Sequence, residues 1–196
     1  MSAASVWDTR RIGWIGLGKM GLPICERLAA QGFEVATLTR NPEVRERATR
    51  ANLQSESNIG GVVASADIVV TAVSDDAALL DIVFQAGGLK ETLDVSQIFV
   101  EISTLSPSAS RRVAEAMSAI GVGYIRSPVS GSTALAAQGA LTAVISGPAG
   151  ALASLKDFYA AFARKTFVVG EGRKLVISSS YLTRWSAARL RCWRKP

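Results

Sequence analysis

The stretch Ile12-Gly-Trp-Ile-Gly16-Leu-Gly18-Lys-Met-Gly21 lies near the start of a chain of 196 residues and decides its fold. An apolar run leads into glycines spaced GxGxxG, and an amphipathic segment follows from Leu22 to Gln31. This order predicts a strand, a tight turn and a helix. Gly16 permits the turn, Gly18 lets the backbone approach a pyrophosphate, and Gly21 lets the helix pack on the strand. We therefore predict a dinucleotide-binding unit with contacts from Gly16, Leu17, Gly18, Lys19, Met20 and Gly21.

The end of the second predicted strand, Phe33 to Leu38, is expected to choose between NAD and NADP. An NAD site has an acidic residue here that accepts hydrogen bonds from the ribose hydroxyls. This strand is instead followed by Thr39 and Arg40, and the next acid is Glu43. A guanidinium can pair bidentately with the 2′-phosphate of NADP. We therefore predict NADP rather than NAD; the alternative is an arginine that merely ends a strand in solvent.

Apolar strands and amphipathic helices alternate along the rest of the chain. The run from Ile68 to Val73 is typical of a strand buried on both faces. Ser106 and Pro107 open an amphipathic helix that continues through Ile120. Such alternation predicts an α/β fold with a doubly wound, mostly parallel sheet of the Rossmann type. The other predicted elements are helices over Asn41–Arg50 and Ala149–Phe162, and strands over Ile98–Ile102, Tyr124–Ile125, Leu141–Ile145 and Thr166–Val169.

Small polar residues follow several of these strands. Ser74 comes after the buried run, Ser103 and Thr104 come after the next strand, and Ser130-Gly131-Ser132 lies in a later loop. In doubly wound sheets, ligands bind beyond the carboxyl ends of the strands. We therefore expect these positions to meet the glycine turn at one site.

Charge and composition restrict the other functions. The net charge is +6, but seven of the 22 Lys and Arg residues follow Gly172 and all 16 acidic residues precede it. Nucleic-acid binding through this tail, with Trp185 and Trp193 as stacking groups, is a less favoured alternative. The chain has no histidine, and Cys25 and Cys192 lack metal-ligand spacing, so we predict no metal site. We expect a cytoplasmic protein without a membrane segment, with Cys25 buried.

Together these motifs resemble the β-hydroxyacid dehydrogenase family, which includes 3-hydroxyisobutyrate dehydrogenase, tartronate semialdehyde reductase and 6-phosphogluconate dehydrogenase. The glycine turn is similar to the family's cofactor signature. Glu101-Ile-Ser-Thr-Leu-Ser-Pro107 resembles its Ser-Thr-x-x-Pro element, and Pro128-Val-Ser-Gly-Ser132 resembles its substrate loop. Gly139-Ala-Leu-Thr142 follows at the familiar distance. The resemblance covers roughly residues 11–177.

The resemblance implies hydride transfer between NADP(H) and a small β-hydroxyacid or its semialdehyde. It implies cofactor contacts at Thr39, Arg40, Val73, Ser74 and Thr104, and substrate contacts at Ser103, Ser130, Gly131 and Ser132. Hydroxyls and exposed backbone N–H groups suit a substrate carboxylate. Ser132 stands where the family usually has glycine, so its side chain is expected to reshape this loop.

Lys174 matches the family's catalytic lysine locally, as the group that gives or takes the alcohol proton, but spacer residues before it are missing and Ser178 replaces an asparagine. We expect a disordered lead over residues 1–10, a dinucleotide-binding domain over 11–172 and an aberrant basic tail over 173–196. The family's all-helical second domain is expected to be absent, and residues 178–196 are interpreted as a frameshift product. The alternative function is a non-catalytic nucleotide-binding remnant. Family relatives are homo-oligomers, whereas a monomer is expected here.

Overall fold

Strands and helices alternate along residues 10–39 and 41–169, the part of the chain that this computed structural model describes. At the start of the chain, β1 comes before the glycine turn and α1 comes after it. In order they are β1 Arg11–Ile15, α1 Gly21–Ala30, β2 Glu34–Leu38, α2 Pro42–Arg50, β3 Gln54–Ser55, α3 Ile59–Ala64, β4 Ile68–Thr71, α4 Asp76–Phe84, α5 Leu89–Thr92, β5 Ile98–Glu101, α6 Pro107–Ala119, β6 Gly123–Arg126, β7 Val129–Ser130, α7 Thr133–Ala137, β8 Leu141–Ile145, α8 Ala149–Ser154, α9 Lys156–Phe162 and β9 Ala163–Val168.

Six of these strands form one sheet in the order β3-β2-β1-β4-β5-β6, and every neighbouring pair is parallel. The order of the strands reverses at β1: β2 and β3 are added on one side of it, and β4, β5 and β6 are added on the other side. The predicted Rossmann-type, doubly wound fold is therefore confirmed. Because all strands are parallel, the loops after β1, β2, β4 and β5 meet at one edge of the sheet.

Apolar side chains cover both faces of this sheet, as the buried run in β4 predicts. Ile68 and Val70 are fully buried in one core, against α1 and α9, while Val69 is fully buried in the other, against α3, α4 and α6. Cys25 of α1 is also fully buried, and that burial raises the pKa of its thiol. No helix among the described residues is long and apolar enough to cross a membrane.

The last strands differ from the expected single sheet. β8 pairs with β7 in antiparallel fashion and with β9 in parallel fashion, so the two late predicted strands belong to a second, three-stranded sheet. The predicted helix over 149–162 is also wrong, because it divides at Leu155 into α8 and α9. α9 buries Phe158 and Phe162, whose rings meet edge to face with centroids 5.1 Å apart, whereas α8 buries none of its side chains. α9 thus lies in the core, whereas Ala151 and Leu152 of α8 are only partly buried against it.

Arg27 on α1 joins the two sheets. Its Nε donates to the carbonyl oxygen of Ala161 on α9 at 2.8 Å, and its Nη1 donates to that of Ala137 on α7 at 3.3 Å. Both carbonyls lie near the C-terminal ends of their helices, where backbone acceptors lack helical partners. Gly139 lies against the same guanidinium, because a Cβ there would approach Arg27 Nε to 2.6 Å.

We predict that Arg27→Ala lowers the free energy of unfolding by about 1–3 kcal/mol, because it leaves two carbonyl acceptors without their charged donor. Urea denaturation of the full chain measures this change. The matched control is Arg50→Ala, whose guanidinium pairs with Glu46 on the exposed surface of α2. An exposed pair of this kind contributes about 0–1 kcal/mol. Equal losses in the two variants would contradict the joining role of Arg27.

Candidate functional site

The turn after β1 passes directly against the end of β4. The backbone N–H of Ala72 donates to the carbonyl oxygen of Ile15 at 2.9 Å. Gly16 has φ +103°, and a Cβ on it would lie 2.2 Å from the carbonyl oxygen of Ala72. A larger residue at this position would force the turn away from β4.

Gly21 lets the first turn of α1 close onto the same strand. A Cβ at Gly21 would lie 2.3 Å from the carbonyl oxygen of Gly16 and 2.8 Å from Nε1 of Trp14. That indole N–H donates to the Gly16 carbonyl at 3.2 Å, and the Trp14 side chain is fully buried. The helix, the turn and β1 therefore pack as one unit.

Gly18 has open space where its side chain would be, because no atom lies within 4 Å of a Cβ built there. The start of α1 is open as well. Asn41, Asp75 and Ser106 cap α2, α4 and α6, but α1 has neither a side-chain cap nor an acidic residue in its first turn. Within the first turn of α1 the N–H of Leu22 donates to the carbonyl oxygen of Gly18 at 3.2 Å, and Pro23 has no N–H. An anion at this helix start would still meet the positive end of the helix dipole. The turn therefore fits a pyrophosphate.

Two adjoining cavities lie along the carboxyl ends of the strands. The larger one, of about 1380 Å³, extends from the glycine turn to the ends of β2 and β4. The smaller one, of about 350 Å³, continues to the end of β5 and the loop after β7. Predicted site residues in the larger cavity are Gly16, Leu17, Gly18, Lys19, Thr39, Val73 and Ser74. Those in the smaller one are Gly18, Lys19, Met20, Gly21, Val73, Ser74, Ser103, Thr104 and Gly131.

Two predicted site residues lie apart from these cavities, and two others lie outside the described residues. Ser130 and Ser132 line neither of these two cavities. The Ser132 hydroxyl accepts from the backbone N–H of Leu135 at 3.3 Å and so caps α7. Arg40 and Lys174 lie outside the described residues. The structure thus brings together the turn, the ends of β4 and β5, and Gly131.

Thr39 and Asn41 at the end of β2 line the larger cavity together with Arg47 of α2. Asn41 Oδ1 accepts from the N–H groups of Glu43 and Val44 and holds the start of α2 in place. Arg45 Nη2 donates to the carbonyl oxygen of Thr39 at 3.1 Å. Among the described residues that line this cavity, the only acidic one is Asp81 on α4. The β2 end therefore suits an anionic group.

Hydrogen bonds tie the end of β4 to the end of β5. The backbone N–H of Val73 donates to Ser103 Oγ at 2.8 Å, and the N–H of Ser103 donates to the carboxyl of Glu101. In addition, Asp76 Oδ1 accepts from the N–H of Ser106 at 2.9 Å. Sequence reasoning missed the roles of Glu101 and Asp76. The available signal was an acidic residue at the end of an otherwise apolar strand.

Burial dominates the electrostatics of Glu101, which is 1% exposed. It raises the pKa of this carboxyl from 4.5 to about 7, although hydrogen bonds from Ser103 and the charge of Arg126 favour the ionised form. Burial also raises the pKa values of the neighbouring phenols Tyr124 and Tyr159. Glu101 is thus a titrating group behind the wall of the cavity.

Residues 11–170 match the family described as the NAD binding domain of 6-phosphogluconate dehydrogenase. The chain belongs to this family. The match covers both sheets and every strand-end loop described above. The predicted resemblance to β-hydroxyacid dehydrogenases is thereby confirmed, and the fold is that of a nucleotide-binding domain of oxidoreductases.

Individual relatives agree with this membership. The chain is 32% identical over 164 residues to an uncharacterized oxidoreductase, YfjR, from Bacillus subtilis, covering 84% of this chain and 57% of the relative. It is 30% identical over 162 residues to L-threonate dehydrogenase from Cupriavidus necator, covering 83% of this chain and 54% of the relative. A structure of Psf3 in complex with NADP+ and 2-OPP superposes with a TM-score of 0.79 at 29% identity, covering 83% of this chain and 58% of that one. The chain spans little more than half the length of each.

For this family member we predict that alanine at Gly18 weakens dinucleotide binding without loss of stability, whereas alanine at Gly16 lowers stability. Gly18→Ala is expected to leave the free energy of unfolding within about 0.5 kcal/mol of wild type, because its Cβ meets open space. It is expected to weaken dinucleotide binding about tenfold or more, because the methyl group enters the space required for close backbone approach. Gly16→Ala is expected to lower stability itself, because its Cβ collides with Ala72.

Thermal melts with and without NADPH separate the two effects. Gly18→Ala is expected to melt like wild type and to lose the rise in melting temperature that NADPH causes. Wild-type binding of NADPH by Gly18→Ala would show that this backbone does not face the cofactor.

Proposed function

We propose that this domain binds NADP(H) in an oxidoreductase that transfers hydride between the cofactor and a small β-hydroxyacid or its semialdehyde. The observation that carries the proposal is the convergence of the uncapped start of α1, the ends of β4 and β5, and Gly131 on two joined cavities. Family membership supports the cofactor class, and the similarity to L-threonate dehydrogenase supports the substrate class.

The residues of this chain would have the following roles. Gly18 and the first turn of α1 hold the pyrophosphate, Val73 and Ser74 border the ribose, and Thr104 borders the nicotinamide. The nicotinamide gives or accepts the hydride when it is bound. Gly131, with the loop Ser130-Gly131-Ser132 around it, would border the substrate carboxylate, and Lys174 would correspond to the lysine that gives or takes the alcohol proton in the family.

NADP is proposed over NAD because of the end of β2. Thr39 and Asn41 line the larger cavity there, and Arg40 lies between them in sequence. Arg47 of α2 also lines the cavity, and its guanidinium is 3.8 Å from Glu26. An acid that could accept from the ribose hydroxyls of NAD is absent from the described residues at this end of the cavity.

A non-catalytic nucleotide-binding protein is the second candidate. The observation that favours it is in the sequence, where Arg173-Lys174 follows Gly172 directly and Ser178 stands in place of the family's asparagine. A lysine acts as a general acid only when its ammonium is held beside the carbonyl oxygen. The altered spacing would remove that position and leave cofactor binding intact.

The test of cofactor choice is a fluorescence titration of the full chain with NADPH and NADH. We expect tighter binding of NADPH and loss of that preference in Arg40→Ala. An Arg–phosphate contact contributes about 1.5–3 kcal/mol, which corresponds to roughly a 10- to 100-fold difference in dissociation constant. Arg50→Ala removes the same charge from the outer surface of α2 and is expected to keep the preference. Equal or tighter binding of NADH by wild type would contradict the proposal.

The test of catalysis is NADP-dependent oxidation of 3-hydroxyisobutyrate by the purified chain. We expect negligible turnover, because Lys174 lacks the family's spacing. The readout is the absorbance of reduced nicotinamide, with bound cofactor verified by titration in the same sample. Robust turnover that disappears in Lys174→Ala would show that the catalytic site is complete and would exclude the non-catalytic candidate.

A further inference from the structure

A short chain of hydrogen bonds reaches from the cavity wall to a buried carboxyl. Val73 and Ser103 both line the smaller cavity, and Val73 N donates to Ser103 Oγ at 2.8 Å. The backbone N–H of Ser103 in turn donates to the carboxyl of Glu101. One serine thus connects the loop after β4, through its hydroxyl, to the last residue of β5.

The surroundings of Glu101 hold its carboxyl away from solvent. It is the register partner of Thr71 on β4 and of Arg126 on β6. The charged and titratable groups that face it are Arg126 and Tyr124 from β6, Asp76 from α4 and Tyr159 from α9. Glu101 itself lines neither cavity of the site. Ser103 lines the smaller cavity and donates to this carboxyl, so it provides a route from Glu101 to a bound cofactor.

We propose that Glu101 is a positioning residue whose ionised carboxylate, acting through Ser103, holds the ends of β4 and β5 together and so sets the affinity of the cavity for NADPH. This inference rests on the proposed NADP-binding function. It gives Ser103 a role in shaping the site, since its hydroxyl oxygen accepts from Val73 and its N–H donates to Glu101.

The hydrogen bond that Glu101 accepts determines whether the affinity for NADPH rises or falls with pH. An ionised carboxylate accepts strongly at both oxygens and holds the N–H of Ser103 in a charge-assisted hydrogen bond. A protonated carboxyl has one oxygen carrying a hydrogen and accepts less strongly. With the pKa of Glu101 raised to about 7 by burial, the carboxyl is mainly protonated below that pH and ionised above it. The connection therefore tightens, and affinity rises, as pH increases through this range.

The experiment compares NADPH dissociation constants of wild type and Glu101→Gln between about pH 5.5 and about pH 8.5. Glutamine resembles the protonated carboxyl. The ratio of the variant's NADPH dissociation constant to that of wild type is therefore expected to be near one at the acid end of the range. It is expected to rise to about fivefold or more at the alkaline end. The 2′-phosphate of NADPH also changes its charge in this pH range, but the change is the same for both proteins and cancels in the ratio. By linkage, bound NADPH is also expected to lower the pKa of Glu101, measured by carbon-13 NMR of the carboxyl.

Two further variants make the outcome decisive. Glu115→Gln makes the same chemical change on the exposed surface of α6, and its ratio is expected to stay near one at every pH. Ser103→Ala keeps Glu101 but removes the connection to Val73, so its ratio is also expected to rise with pH; it serves if Glu101→Gln does not fold. A ratio that does not change with pH would overturn the positioning role. Absence of NADPH binding by wild type would instead overturn the proposed function.

Discussion

The site depends on the contact between the turn at Gly16 and the carbonyl oxygen of Ala72. This contact leaves no room for a side chain and is fixed by the adjacent hydrogen bond from Ala72 N to Ile15 O. It sets the height of the turn above the sheet and thereby the point where α1 begins. Gly21 and the buried indole of Trp14 then fix the direction of α1. The open face at Gly18 is the consequence of these close contacts around it.

Helix starts in this chain differ in how their first N–H groups are satisfied, and α1 lacks a side-chain cap at the place where a ligand would bind. Asn41, Asp75 and Ser106 use side-chain oxygens to satisfy the first N–H groups of their helices. Such caps typically stabilise a helix by about 1 kcal/mol. At α1 the chain has glycines, a lysine and a methionine instead, so this stabilisation is left for an external anion to supply.

The sequence predicted those elements whose pattern of apolar and polar residues is complete within a short segment. The strand–turn–helix at Gly16 and the β-branched run of β4 carry their own periodicity, and both were confirmed as elements of the predicted fold. The bond between Val73 and Ser103 joins residues 30 positions apart, and that between Arg27 and Ala161 joins residues 134 apart. Spacing within a motif holds no information on such pairs. The second sheet was missed for the same reason, because two-residue strands such as β7 gain their stability from pairing rather than from sequence.

The second sheet matters for the site because the chain between the two sheets is held at both ends. The N–H of Ser127 donates to the carbonyl oxygen of Glu101 at 2.7 Å, and the N–H of Val129 donates to that of Ile102 at 3.3 Å. These bonds bring Gly131 to the cavity directly from the end of β5. On the other side, Arg27 holds α7 and α9 against the last turn of α1. The helix that starts at the glycine turn therefore also positions the loop proposed to bind the substrate carboxylate, so both halves of the site share one rigid support.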